Sequence, residues 1–290
     1  MTRTSRTASV ARKLFAPGLV ALAVATAVAL GVWLQYGERI GADTRHTAGS
    51  GAADRVDITT SVQKVDAAAR QLTLRVLVTP RGGLAEAGGL SPARDLVLQT
   101  SSAVRGDLSF PAHSRIATAQ VPVTLTDGSI TDYPFDSYRT ALEFSAEAGG
   151  REVPVRMSVS NNDALFAVNV RADTADGAAV FDLNLERSSS VFLFALFMMA
   201  AMWALAVGVL VATWFLLSGR KGLVWPALGW MAATLFALAA FRNTAPGAPP
   251  IGCLLDYLAF LWVEPVIAFC VFTVVVAGVR AEPRAEEAAG

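Results

Sequence analysis

Four apolar runs, at about residues 15–36, 191–217, 223–241 and 251–279, constrain this chain more than any other feature. Each is close to or longer than the ~20 residues that carry a helix through ~30 Å of hydrocarbon. A backbone in lipid must satisfy its amides internally, so such runs are helices. With 53% hydrophobic residues and a mean hydropathy of +0.46, the chain is too apolar for an ordinary soluble globule. The expected fold is a membrane protein. It has a four-helix transmembrane region, one N-terminal anchor plus three C-terminal helices, with an inserted all-β, sandwich-like extracytoplasmic domain.

Charge sets the orientation. Residues 1–14 carry Arg3, Arg6, Arg12 and Lys13 and no acid, and a short loop at 218–222 carries Arg220 and Lys221. The positive-inside rule places both in the cytoplasm, together with the tail 280–290 that begins with Arg280. The first run is too long for a cleaved signal peptide and ends on Trp33 and Tyr36, an aromatic interface anchor. Ala21, Ala25 and Ala29, and again Ala204, Gly208 and Ala212, form small-residue stripes against which a helix or a second copy of the chain can pack.

Between the first two runs the pattern changes. Residues 37–54 are rich in Gly, Ala and polar side chains without a period, and read as a linker in which His46 is solvated. From 55 to 187 the period is two. Leu72, Leu74, Val76 and Val78 alternate with mostly polar residues, as do Val121, Val123 and Leu125. Leu142 and Phe144 before Ala148-Gly149-Gly150, with Val153, Val155, Met157 and Val159 after it, predict a hairpin. Phe166, Val168 and Val170 are expected to pair with Phe181, Leu183 and Leu185 across Ala175-Asp176-Gly177. With Val56–Ile58 and Leu96–Leu98, about eight strands result, the spacing of a sandwich.

Two polar stretches interrupt this frame. The first is Asp132-Tyr133-Pro134-Phe135-Asp136-Ser137-Tyr138. Its proline sets a turn in which Asp136 is expected to accept bonds from nearby backbone amides, and Tyr133, Pro134, Phe135, Asp136 and Tyr138 form a candidate membrane-facing turn. The second runs from Arg242 to Glu264. Pro246, Pro249 and Pro250 exclude helix from the loop 242–250, which must lie at a membrane surface or inside protein. Arg242, Asn243, Asp256 and Glu264 form a candidate polar cluster. Eight residues of helix place Glu264 about 12 Å beyond Asp256, at a depth where a carboxylate costs roughly 2.5 kcal/mol or more. A structural clamp between Arg242 and Asp256 and a polar path ending at Glu264 are both open readings.

Other chemistry is scarce. The sequence has two histidines, and it has no metalloprotease, thiol-redox, nucleophile-elbow or phosphate-loop motif, so no enzyme, cofactor or metal is expected. The 24 basic and 24 acidic residues balance, which gives no reason to expect nucleic acid as a partner. Cys253 and Cys270 lie about 25 Å apart along one helix, too far for a disulfide, and Cys253 is expected near the outer surface, open to thiol reagents.

The order of anchor, β-rich external domain and three further helices resembles an actinobacterial membrane-protein family known as domain of unknown function 4436. The residues that carry the resemblance are Tyr133-Pro-Phe-Asp136-x-Tyr138, and Phe241-Arg-Asn-x-x-Pro246-Gly-Ala-Pro-Pro-Ile-Gly252 with Asp256 and Trp262-x-Glu264, so that it extends over nearly the whole chain. It implies an integral protein of the bacterial envelope and no reaction or ligand. Two functions fit the residues. One is non-catalytic, with the β-domain binding an envelope protein, glycan or lipid. The other is a transporter or channel subunit using Glu264, Asp256 and Arg242.

Overall fold

The computed structural model describes residues 25–26, 28–37, 45–86, 88–89, 91–102, 104–175, 178–219 and 224–287. The basic N-terminus, the first part of the anchor, residues 38–44 of the linker, Asp176-Gly177 and the Arg220-Lys221 loop lie outside them. Among the described residues, eleven strands form two sheets. The first sheet has the order β1-β9-β2-β3-β6, from His46–Gly49, Val155–Asn161, Val56–Asp66, Gln71–Pro80 and Ala119–Thr124. The second has β10 (Phe166–Ala175), β11 (Ala178–Arg187), β7 (Ser137–Ala148), β4 (Leu96–Thr100) and β5 (Leu108–Phe110), with β8 (Arg151–Val153) also on β7.

The period-two reading accounts for the core. Leu72, Leu74, Val76 and Val78 are buried from β3, and Tyr138, Leu142, Phe144 and Ala146 from β7, while the residues between them face outward or the sheet edge. The pairing expected of the last two strands is present: Val168 lies opposite Leu185 and Val170 opposite Leu183.

Three boundaries differ from expectation. Residues 46–49, inside the stretch read as linker, form β1 and pair antiparallel with β9. Two small residues and one polar pair give too weak a period to read, and His46, expected to be solvated, is half-buried in β1. The hairpin after Gly149-Gly150 is only three residues long: β8 pairs with β7, and Pro154, which has no amide to donate, ends it. The chain then crosses to the other sheet, where β9 runs parallel to β2. Eleven strands therefore replace eight, because β1, β5 and β8 are each four residues or fewer.

The helical part follows without a linker. β11 ends at Arg187, the Ser188 hydroxyl accepts from the Val191 amide as an N-cap, and α2 runs from Ser189 to Ser218. Then come α3 (Trp225–Arg242), a five-residue π segment (Asp256–Phe260) and α4 (Leu261–Glu287). A short helical stretch at residues 28–37, α1, passes beside α2, where Gly31 approaches Leu193.

Of the described helices, two are long and apolar enough to cross a membrane, Ser189–Ser218 and Asp256–Arg280, not four. α3 is only 18 residues long, opens on Trp225-Pro226 and ends on Arg242. Much of the expected first span lies outside the described residues. α4 continues past residue 279, where the sequence suggested a tail. Only 28% of each long apolar helix is buried inside the chain, unlike the core helix of a globule. The buried faces are narrow stripes, Ala195, Met198, Met202, Ala206 and Val209 on α2 against Ala259, Val263, Ile267 and Cys270 from the π segment and α4.

Candidate functional site

Both polar stretches meet where the sheets join the helices. The Asp132–Tyr138 turn precedes β7, and its Tyr133 carbonyl accepts a hydrogen bond from the Leu255 amide at 3.1 Å. A turn of the sheet domain is thus hydrogen-bonded to the backbone just ahead of the π segment. Tyr133 itself is fully buried in the helical core, beside Val191 and Cys253. Burial pushes its phenol up to about 12, so it stays a neutral hydroxyl.

Among the described residues, Asp136 is bonded to side chains and not to the backbone amides the sequence suggested. Its partner is Arg187, the last residue of β11, whose Nε lies 2.9 and 3.1 Å from the two carboxylate oxygens and whose Nη2 lies 2.9 Å from Oδ2. Both side chains are almost fully enclosed. Tyr138 donates its hydroxyl to Asp136 Oδ2 at 2.9 Å, and burial followed by that bond raises its pKa. The guanidinium carbon is 4.2 Å from the Phe166 ring centre and 5.1 Å from that of Tyr133, within the range of cation–π attraction. Arg187 is the residue that sequence reading missed. A lone cation at the end of the last strand, directly before an apolar helix, was the available signal.

The second pair is the clamp. Arg242 Nε lies 2.7 Å from Asp256 Oδ1 and Nη2 2.7 Å from Oδ2, a two-toothed pair in which both residues are at most 5% exposed. The same guanidinium donates to the carbonyls of Pro249 (3.0 Å) and Pro250 (2.8 Å), and the Gly252 amide donates to Asp256 at 2.7 Å. This chemistry follows from the prolines: a loop with three prolines is rich in carbonyls and poor in amides, so a five-donor side chain satisfies it. Asn243 is exposed and takes no part in the cluster. Glu264 is half-buried one helical stretch further along and has no hydrogen bond or ion pair among the described residues.

The two pairs are coupled by the loop. A Cβ on Gly247 would lie 2.7 Å from Arg187 Nη1, and Gly247 has φ +79°. Gly247→Ala therefore adds about 1–2 kcal/mol of left-handed backbone strain and presses a methyl group on an arginine that cannot move away. We expect a thermal midpoint several degrees below that of the wild type, with Gly252→Ala, which also has positive φ but an open Cβ direction, losing less.

Cys253 is fully buried under this loop, its sulfur 3.6 Å from Arg242 Nη2 and 3.7 Å from Asp256 Oδ2, so the exposed thiol expected from sequence is not there. Cys270 is buried too. Neither thiol is expected to react with a hydrophilic maleimide until the protein is denatured, and mass spectrometry of the intact protein before and after denaturant checks this.

Residues 46–185 match the family model Domain of unknown function (DUF4436), and residues 187–281 match a second, Domain of unknown function (DUF8686). The sheet domain is thus similar to the first family and the helical part to the second. The resemblance read from sequence as one family over nearly the whole chain divides in two, with the Tyr133–Tyr138 motif in the first match and the proline tract in the second. No curated protein matches the chain. The boundary falls between β11 residues 185 and 187, so the Asp136–Arg187 pair and the Tyr133–Leu255 bond cross it, while the Arg187–Gly247 contact lies within the second match.

Proposed function

We propose that this chain, a DUF4436 sheet domain locked onto a DUF8686 helical domain, is an integral protein of the bacterial, by resemblance actinobacterial, cell envelope with a non-catalytic binding or structural role. Its helices cross the membrane four times, both termini lie in the cytoplasm, and the sheet domain stands outside, where it takes an envelope protein, glycan or lipid. A second copy of the chain on the exposed Ala204 and Gly208 face of α2 is consistent with this role.

The observation that carries the reading is the exposed apolar surface of α2 and α4, which water would not tolerate as a free monomer surface. Trp214, Phe215 and Trp225, each about 70% exposed, ring the end at which the sequence has Arg220 and Lys221, as expected of a cytoplasmic interface. The closed state of the Arg242–Asp256 pair supports a clamp over a polar path, because its donors and acceptors are already used on each other and on the loop. The test is protease treatment of sealed right-side-out vesicles. External protease is expected to remove the sheet domain and leave the helices, and full protection of residues 46–187 overturns the orientation.

A transporter or channel subunit is the second reading, favoured by Glu264, a half-buried carboxyl with no ion-pair partner among the described residues. Unchanged proton and solute flux between Glu264→Gln and wild-type proteoliposomes removes it.

A further inference from the structure

At the junction of sheets and helices, the apolar surface does not stop at the helix. Phe192, the fourth residue of α2, is 39% exposed and lies at the outer end of the helix's apolar face. Phe135, from the turn of the sheet domain, packs on it edge to face, with ring centres 5.4 Å apart and planes at 72°, and is itself 55% exposed. Ile251, at the end of the proline loop, is 85% exposed and lies four residues before Leu255, whose amide holds the Tyr133 carbonyl. Three separate segments thus present exposed apolar side chains near the junction, Phe135 and Phe192 in contact and Ile251 four residues from the backbone that holds Tyr133. Beside Phe135 and Phe192 is a cleft of about 330 Å³ whose polar part is made by Ser137, Glu186 and Ser189 together with the Asp136–Arg187 pair.

We propose that Phe135, Phe192 and Ile251 form a collar by which the sheet domain is seated directly on the lipid surface, with these side chains in the head-group and upper acyl region. Three observations argue for lipid as the occupant. The collar is continuous with the exposed apolar face of α2, through Leu196 and Trp203, which follow Phe192 on the same side of the helix. It changes from apolar to polar within two or three residues, from Phe135 to Ser137 and from Phe192 back to Ser189, as a bilayer interface does. And the turn that carries it is fixed from both sides, by the Asp136–Arg187 pair and the Tyr133–Leu255 bond, so Phe135 cannot swing back to bury itself. The assignment rests on the membrane reading of α2 and names what that membrane does for the sheet domain.

The test uses the full chain in lipid nanodiscs, one protein per disc, with an environment-sensitive fluorophore on one introduced cysteine. Labelling of the wild type, whose thiols are buried, is the background. Phe135→Cys reports on the collar, Phe197→Cys on the α2 surface, and Glu152→Cys, exposed on β8, on the far end of the sheet domain. All three positions are exposed, so the substitutions are compatible with the fold. Nitroxide placed at the head-group end of the acyl chain is expected to quench Phe135→Cys severalfold more than Glu152→Cys. Quenching at Phe197→Cys with none above background at Phe135→Cys overturns the collar while leaving the membrane reading intact. No quenching at either position overturns both.

Discussion

Arg187→Met lowers the stability of the protein by about 3–5 kcal/mol, the loss typical when one partner of a buried ion pair is removed, and moves the thermal midpoint down by about 10 °C. Asp136 would keep the Tyr138 hydroxyl but lose its charged partner in a site almost closed to water. The rings of Tyr133 and Phe166 would lose the cation lying against them. A second substitution separates this cause from general damage to the core. Replacing both partners with apolar residues, Asp136→Leu with Arg187→Met, removes the unpaired charge, and such double replacements are often close to neutral. The double variant is therefore expected to recover most of the loss. Melting curves of wild type, both single variants and the double, read by tryptophan fluorescence, give the coupling directly. If the double variant is as unstable as the sum of the singles, the pair is not what holds the junction.

The same residues show what the sequence could and could not reveal. The sandwich was legible because alternation is a local signal: β3 and β7 state their buried faces in their own residues. β1 and β8 were not, since their pairing depends on a partner strand and their own residues carry little pattern. The proline tract showed its nature at once, because proline's lack of an amide is independent of context. Arg242 and Asp256 could be suspected as partners because they are the nearest opposite charges across that tract. Asp136 and Arg187 are 51 residues apart and meet only because β11 lies beside β7 in the sheet, so sequence spacing gave no indication. The span count is legible only in part: composition alone does not distinguish an 18-residue helix that opens on tryptophan and ends on arginine from a full crossing, and much of the first run lies outside the described residues.

Asp256→Asn is expected to cost a comparable 3–5 kcal/mol, because it leaves the Arg242 charge buried without a counter-charge. The amide group of asparagine would also turn a donor toward either the guanidinium or the Gly252 amide, both of which are donors. The consequence should be local before it is global. Arg242 also carries the Pro249 and Pro250 carbonyls, so weakening its seat frees the loop, and the Leu255 amide that holds Tyr133 lies one residue away. Hydrogen exchange should therefore quicken first at Gly252 and Leu255, while β7 and β11 keep their protection until global unfolding. Glu264→Gln is the contrast. With no ion pair to lose among the described residues, it should change stability by no more than about 0.5 kcal/mol. A Glu264→Gln protein as unstable as Asp256→Asn would mean that the polar network extends into α4, and the clamp would then be one end of a longer charged path.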